Sequence, residues 1–151
     1  SKLETGQLVR VLWRKKPVWI FKRDAETLKS LESESLLEAL ADPEGSGNSK
    51  NQQPKYVTPN YRSIEGKEEL AVIVGVCTHL GCSPTYRPEP GAADLGGDSW
   101  KGGFYCPCHG SKFDLAGRVY AGVPAPTNLM IPPYSFVSET LIRIGVDPAT
   151  S

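Results

Sequence analysis

The chain has 151 residues, and its 17 lysines and arginines balance its 17 aspartates and glutamates to a formal net charge of zero. This balance, without a basic patch that carries interleaved aromatic residues, argues against a nucleic-acid partner. The longest apolar run, Leu70 to Val76, is strand-sized and far shorter than the roughly twenty residues of a membrane-spanning helix. The length suits one domain with a substantial core.

The elements predicted along the chain are mostly strands. Two β-rich runs come first, over 7–12 and 18–22, and residues 140–146 alternate apolar with other residues like a closing strand. Between them, Asp24 can cap one helix over about 24–41 whose apolar stripe consists of Leu28, Leu31, Leu36, Leu37 and Leu40. The composition of 45–54 predicts a flexible linker, and 86–103 a surface excursion whose Trp100 packs onto the domain. The pattern predicts an all-β class with one helix and long loops.

All four cysteines and both histidines lie in two short boxes, Cys77-Thr78-His79-Leu80-Gly81-Cys82 and Cys106-Pro107-Cys108-His109-Gly110-Ser111. Two disulfides would use the cysteines and leave the histidines unexplained. A zinc ribbon would use four of the six side chains and leave the extra cysteine of each box unexplained. A binuclear iron-sulfur cluster, with two thiolates on one iron and two imidazoles on the other, is favoured by the paired boxes and their spacing.

As they stand, the two boxes resemble those of the Rieske iron-sulfur proteins of respiratory and photosynthetic quinol-oxidising complexes. The match is strict over about the central third of the chain. It is looser over 7–13 and 16–20, which resemble the start of the soluble domain in the cytochrome bc branch. The resemblance implies a Rieske-type antiparallel β-sandwich. A base subdomain would comprise 1–76 and 127–151, and a small cluster-binding β subdomain would comprise 77–126.

The resemblance also implies a [2Fe-2S] cofactor, whose raised potential is a known property of Rieske centres and not a deduction from this sequence. The implied ligands are two thiolates on one iron and two imidazoles on the other: Cys77 with Cys106, and His79 with His109. Cys82 and Cys108 would form a disulfide between the two loops, which implies an oxidising compartment.

Further residues are expected to tune the cluster: Leu80, Gly81, Gly110, Ser111, Phe113 and Pro124. The N–H groups of the two glycines and the Ser111 hydroxyl are expected to donate to cluster sulfurs, which stabilises the reduced state. An exposed Leu80 would suit docking into a quinone pocket. The proline-rich loop over 122–126 would cover the cluster from a third side. Many high-potential members carry tyrosine where this chain has Phe113, so a lower potential is expected here.

The function that the resemblance implies is electron transfer within a quinol–cytochrome c oxidoreductase. His109 would accept the hydrogen bond of ubihydroquinone, and the electron would pass to a c-type cytochrome. The other expected partner is a cytochrome b subunit with its quinol site. Such proteins usually carry an amino-terminal membrane anchor, so the chain is expected to be a fragment that begins after it. The chain is therefore expected to be a soluble head on the periplasmic side of a bacterial inner membrane, or on the intermembrane-space side of a mitochondrial one.

Two alternatives stay open at the level of sequence. A Rieske ferredoxin-type carrier would pass electrons to an oxygenase, but such relatives generally lack the extra pair, Cys82 and Cys108. A structural zinc module would bind a partner without redox chemistry.

Overall fold

The computed structural model describes residues 7–42, 53–54, 56–58, 60–78, 81–97, 100–138 and 141–146. Within these ranges the chain forms eight strands and two α-helices. The strands are β1 (Leu8–Trp13), β2 (Lys16–Lys22), β3 (Leu70–Val74), β4 (Thr85–Arg87), β5 (Gly103–Tyr105), β6 (Lys112–Asp114), β7 (Tyr134–Phe136) and β8 (Ile142–Ile144). The helices are α1 (Ala25–Leu31) and α2 (Glu34–Ala39).

The first sheet has the strand order β1-β2-β3, and both pairings are antiparallel. Strands β1 and β2 are joined at Arg14 and Lys15, whose φ angles of 50° and 66° are both left-handed. Two central residues with positive φ give a tight hairpin turn whose twist matches that of the strands. Strand β3 is buried from Ala71 to Val74, and it leads directly towards the first cysteine box.

The second sheet, β4-β5-β6, is also antiparallel and lies between the two boxes and just after the second. Gly103 of β5 pairs with Asp114 of β6, and a Cβ at Gly103 would collide with the carbonyl oxygen of Phe113. The close approach of these two strands therefore requires glycine. Strands β7 and β8 form a separate antiparallel pair.

The predicted helix is divided into two short helices. Asp24 caps α1 by accepting a hydrogen bond from the Thr27 N–H at 2.7 Å, as predicted. Ser33, in extended conformation, interrupts the segment and caps α2 by accepting from the Leu36 N–H. The buried leucines Leu31 and Leu36 are five residues apart, a spacing that does not put two side chains on one face of a continuous helix. The break at Ser33 allows both to be buried.

One hydrophobic core joins the first and second sheets. Trp19 of β2 stacks on Phe104 of β5 with ring centroids 4.6 Å apart, and Phe21 meets the same ring edge-on. The all-β class is confirmed. Strands β4 to β6 all lie within 77–126, while the subdomain division itself stays a prediction.

Trp100 packs onto the domain as predicted. It is buried, its indole N–H donates to the Arg87 carbonyl oxygen, and its ring stacks on Tyr120. Within the same excursion, the exposed side chains of Arg87 and Asp94 form a bidentate ion pair. The linker predicted over 45–54 lies outside the described residues except for Gln53 and Pro54.

Candidate metal centre

The second box is the tip of the β5–β6 hairpin. Within it the Cys106 N–H donates to the Ser111 carbonyl oxygen at 2.8 Å, and the Gly110 N–H donates to the Cys106 carbonyl oxygen at 2.9 Å. Gly110 has a φ of 84°, a conformation that glycine adopts without strain. The loop therefore turns tightly about its own backbone and returns the chain into β6.

The first box repeats this arrangement beyond the end of β3. The Cys77 N–H donates to the Cys82 carbonyl oxygen at 2.7 Å, and the Gly81 N–H donates to the Cys77 carbonyl oxygen at 3.0 Å. Gly81 has a φ of 83°, close to that of Gly110. The two loops thus share one hydrogen-bond pattern, in which Cys77 and Cys106 occupy equivalent first positions.

The same pattern shows what the two loop glycines contribute to the turns. The N–H groups of Gly81 and Gly110 each donate to the carbonyl oxygen of the cysteine four residues earlier. These two amides hold the turn, and their donation to cluster sulfurs stays a prediction. The contribution of both glycines is the left-handed backbone that shapes the ligand loops.

A disulfide joins the two loops, between Cys82 and Cys108 at a sequence separation of 26. Closing a loop of this length removes denatured-state entropy worth about 3.5 kcal/mol on the chain-entropy model. Cys108 is exposed and Cys82 is half-buried. The bridge fixes the two loops against each other, as the resemblance implied.

The remaining two cysteines, Cys77 and Cys106, lie outside the disulfide and are each 2% exposed. The sulfur of Cys106 and both disulfide sulfurs lie within 4.8 Å of one another. The bridged pair has no thiolate to offer, so among these three sulfurs only Cys106 can bind a metal. Two buried thiols at equivalent loop positions fit the sulfur side of a binuclear cluster.

Of the two predicted histidine ligands, His109 is among the described residues and His79 is not. His109 is exposed at the tip of the second loop, between Cys108 and Gly110. His79 and Leu80 lie outside the described residues. An accessible imidazole one residue from the disulfide fits the nitrogen side of a cluster at the protein surface.

A third segment, 122–127, is tied to both loops. The Ser111 hydroxyl oxygen, fully buried, accepts a hydrogen bond from the Ala125 N–H at 2.9 Å. From the first box, the Thr78 hydroxyl donates to the Thr127 carbonyl oxygen at 2.7 Å. Pro124 is exposed beside Ala125. Sequence reasoning missed the Thr78 anchor, although a hydroxyl between two predicted ligands was a signal available for it.

Phe113 lies in β6, two residues beyond Ser111, and is fully buried. It pairs with Phe104 across the hairpin and bridges to Val119. A phenylalanine ring brings no hydroxyl to this position. A different hydroxyl, that of Tyr105, lies 3.8 Å from where a Cβ on Gly110 would stand, a neighbour that sequence reasoning did not identify.

Buried charges surround the base of the β5–β6 hairpin. Asp114 and Arg118 form an ion pair at 2.7 Å with both side chains fully buried. Burial lowers the pKa of Arg23 to about 10 and the pKa of Arg62 to about 9, so both remain cationic at neutral pH. Charged side chains are rarely this deeply buried unless they are paired or hydrogen-bonded.

A cleft of about 380 Å³ lies away from the two boxes, between α1 and the excursion that contains Pro88 and Lys101. None of the residues that line it belongs to either box. This cleft is therefore separate from the candidate metal centre.

The Rieske [2Fe-2S] domain model matches residues 49–135, more than half of the chain. The chain belongs to this family. It is 56% identical to the ubiquinol-cytochrome c reductase iron-sulfur subunit of Allochromatium vinosum, over 97% of the chain and 67% of that relative. The subunit of the same name from Blastochloris viridis is 44% identical, over 99% of the chain and 69% of the relative.

A solved structure described as "Hyperthermophilic respiratory Complex III" aligns with a TM-score of 0.51 and 23% identity, covering 93% of the chain and 67% of its counterpart. At this identity the likeness concerns the fold alone. The predicted Rieske fold and the predicted [2Fe-2S] cofactor class are confirmed. Among the described residues, no helix combines the length and apolar character needed to cross a membrane.

Proposed function

We propose that this chain is the electron-transferring iron-sulfur subunit of a ubiquinol–cytochrome c oxidoreductase. The observation that carries the proposal is the pair of equivalent loops, each with a buried thiol, joined by the Cys82–Cys108 disulfide. The names of the two bacterial relatives support it. The ferredoxin-type alternative is disfavoured, because carriers of that class generally lack the bridged cysteine pair.

The proposed ligands are those at the equivalent loop positions and their neighbouring histidines. Cys77 and Cys106 would hold one iron as thiolates, and His79 and His109 would hold the other as neutral imidazoles. When bound, the cluster supplies a one-electron acceptor whose reduction adds a negative charge at the site. Buried thiols and an exposed imidazole direct the sulfur side inwards and the nitrogen side towards solvent.

His109 is the residue proposed to meet the substrate. An imidazole has two ring nitrogens, so a His109 that binds metal through one can accept a hydrogen bond through the other. The hydroxyl of ubihydroquinone would donate to that nitrogen and then release its proton there. Negative charge arriving beside an imidazole favours the protonated ring, so His109 would take the proton as the site gains the electron.

Ser111 is proposed to stabilise the reduced state. Its oxygen already accepts a hydrogen bond from the Ala125 N–H. A hydroxyl that accepts through its oxygen keeps its own proton to donate elsewhere. Donation from Ser111 to a cluster sulfur would favour the more negative state and raise the midpoint potential.

The finer partners and location are part of the same proposal. A cytochrome b subunit would supply the quinol site, with Leu80 docking into it, and a c-type cytochrome would take the electron. The head would work on the periplasmic side of a bacterial inner membrane, attached through an amino-terminal anchor. A compartment of this kind is oxidising, which agrees with a stable disulfide between two loop tips.

A redox titration of the iron-loaded chain tests the proposal. The reduced protein should give the electron paramagnetic resonance spectrum of a Rieske cluster. Its midpoint should be constant near neutral pH and then fall by about 59 mV per pH unit for each proton coupled to the electron. A colourless zinc-bound protein would reject the cluster, and a midpoint independent of pH far into the alkaline range would reject the proton-coupled role of His109.

A further inference from the structure

Three arginines converge on one short turn, Asp114 to Arg118, at the base of the hairpin that carries the second ligand loop. Arg23 donates to the Leu115 carbonyl oxygen at 3.0 Å, and Arg62 donates to the Ala116 carbonyl oxygen at 3.0 Å. Arg118 pairs with the Asp114 carboxylate at 2.7 Å. All three side chains are at most 3% exposed. We refer to Arg23, Arg62, Arg118 and Asp114 as the charge cluster.

The charge cluster holds three cations and one anion. The second oxygen of Asp114 accepts from the backbone N–H groups of Ala116 and Arg118, at 2.9 and 2.8 Å. Two further acids act on these arginines, Glu68 on Arg23 and Asp42 on Arg62. Both residues are half-buried, and because one carboxylate oxygen of Glu68 is itself buried, Glu68 offsets part of the charge on Arg23. The fully buried side chains therefore carry an excess of positive charge.

This excess lies close to the proposed cluster loop. The Cα atom of Asp114 lies three residues beyond that of Ser111, which corresponds to about 10 Å of extended chain. Phe113 precedes Asp114 in β6 and pairs with Phe104 of β5, and both rings are fully buried. Charges separated by a dry, apolar layer are screened far less than exposed charges at the same distance.

We propose that the charge cluster raises the reduction potential of the iron-sulfur site from beneath the second ligand loop. The inference rests on the proposed function, because it needs a cluster that gains a negative charge on reduction. Buried cations at the base of the hairpin that carries the second ligand loop favour the more negative state. Arg23, Arg62 and Asp114 are thus positioning and tuning residues that act without touching the ligands. By Coulomb's law at an effective dielectric constant of about 20, a unit charge about 10 Å from the added electron changes the equilibrium constant for one-electron reduction about tenfold, and a more distant charge changes it less.

The test uses two variants whose expected shifts have opposite signs. Arg23→Gln removes a buried cation and should lower the midpoint, by about 59 mV for a tenfold effect. Asp114→Asn removes the buried anion while its amide oxygen can still accept from the Ala116 and Arg118 N–H groups, so it should raise the midpoint. Both variants should lower the free energy of unfolding. Loosening of the hairpin alone cannot produce opposite shifts.

Arg87→Gln is the matched control, because Arg87 is a partly exposed arginine whose ion pair with Asp94 lies on the surface excursion. Its midpoint should equal that of the unaltered chain. If Arg23→Gln does not fold, Arg62→Gln replaces it, and if neither folds, the sign for Asp114→Asn decides. Shifts of the same sign, no shift, or failure of all three charge variants to fold would overturn the inference. Absence of a Rieske spectrum in the unaltered chain would instead overturn the proposed function.

Discussion

The two ligand loops have the same backbone and different side chains at equivalent positions. Counting from Cys77 and Cys106, the glycine comes fifth in both, and both close with the same two hydrogen bonds. The sixth position is Cys82 in the first loop and Ser111 in the second. The extra cysteine of the second loop, Cys108, stands third. Glycine therefore sets the shape of each loop, while the chemistry at other positions is free to differ.

The loops also differ in what supports them. The second loop is the tip of a hairpin, has a buried Ser111 and stands on the charge cluster. The first follows a single buried strand and is anchored through Thr78 to Thr127. The two loops therefore have the same backbone but different supporting contacts. This difference indicates that ligand geometry and redox tuning can be encoded in separate residues.

The largest expected effect comes from removing either equivalent thiol. Cys77→Ser and Cys106→Ser should each abolish cluster binding, with losses beyond the roughly 10- to 100-fold typical of residues that only support a ligand. The iron and sulfide content of the purified variants measures this. Equal losses would confirm the equivalence of the two loops, whereas cluster retained in one variant would contradict it. Cys108→Ser, which breaks the disulfide and leaves the proposed ligands in place, should retain more cluster than either thiol variant.

Breaking the disulfide should have the next largest effect. Cys82→Ser and Cys108→Ser should each lower the free energy of unfolding by about 3.5 kcal/mol, because the bridge closes a loop over a separation of 26. Denaturant titration measures the change. The double variant should be no less stable than either single one, and additive losses would show that the two cysteines act independently.

The supports of the two loops can be compared by removing one hydroxyl from each. Ser111→Ala leaves a buried Ala125 N–H without its acceptor and should cost about 1–3 kcal/mol of stability. Thr78→Val removes a partly buried hydrogen bond and should cost about 1 kcal/mol. Ser111→Ala should also lower the midpoint without unfolding the protein. An unchanged midpoint in a folded Ser111→Ala protein would remove that residue from the tuning role.

The smallest expected effect is that of Phe113→Tyr. If the new hydroxyl donates to a ligand sulfur, the midpoint should rise by about 40 mV, the equivalent of one hydrogen bond of about 1 kcal/mol. Stability provides a second readout, because a buried hydroxyl without a partner costs about 1–3 kcal/mol. A stable variant with no rise in midpoint would show that the hydroxyl bonds elsewhere. Phe136→Tyr, in β7 outside the second sheet, is the control.

The boxes and the all-β class could be predicted because they depend on local residue order. Paired cysteines and histidines at short spacing have few chemical interpretations. The five-residue interval between the buried Leu31 and Leu36 indicates a break between two helices. Treating all the leucines as one apolar stripe hid this break and led to the prediction of a single helix. Local patterns of this kind can be read from the sequence because the contacts they predict form between residues that are close together in the chain.

The rest of the site depends on contacts between distant segments. Arginine is usually found at the protein surface, so nothing in the sequence marks three of them as buried. The folded chain brings Arg23, Arg62 and Arg118 together around one buried turn. The bond from Ala125 to Ser111 joins residues 14 apart, and that from Thr78 to Thr127 joins residues 49 apart. The hydrogen bonds from the two loop glycine N–H groups to the cysteine carbonyl oxygens likewise became evident only from the geometry of the turns.

The disulfide has a consequence for the excursion over 86–103. This whole segment lies inside the covalent ring closed by Cys82 and Cys108. Both ends of the ring are fixed at the loop tips, so residues gained or lost within the excursion change the length of the ring without moving its ends. Each doubling of a flexible loop adds only about 0.6 kcal/mol to its closure entropy. The bridge thus allows the exposed part of the excursion, between the strands and apart from buried Trp100, to vary in length while the metal centre stays the same.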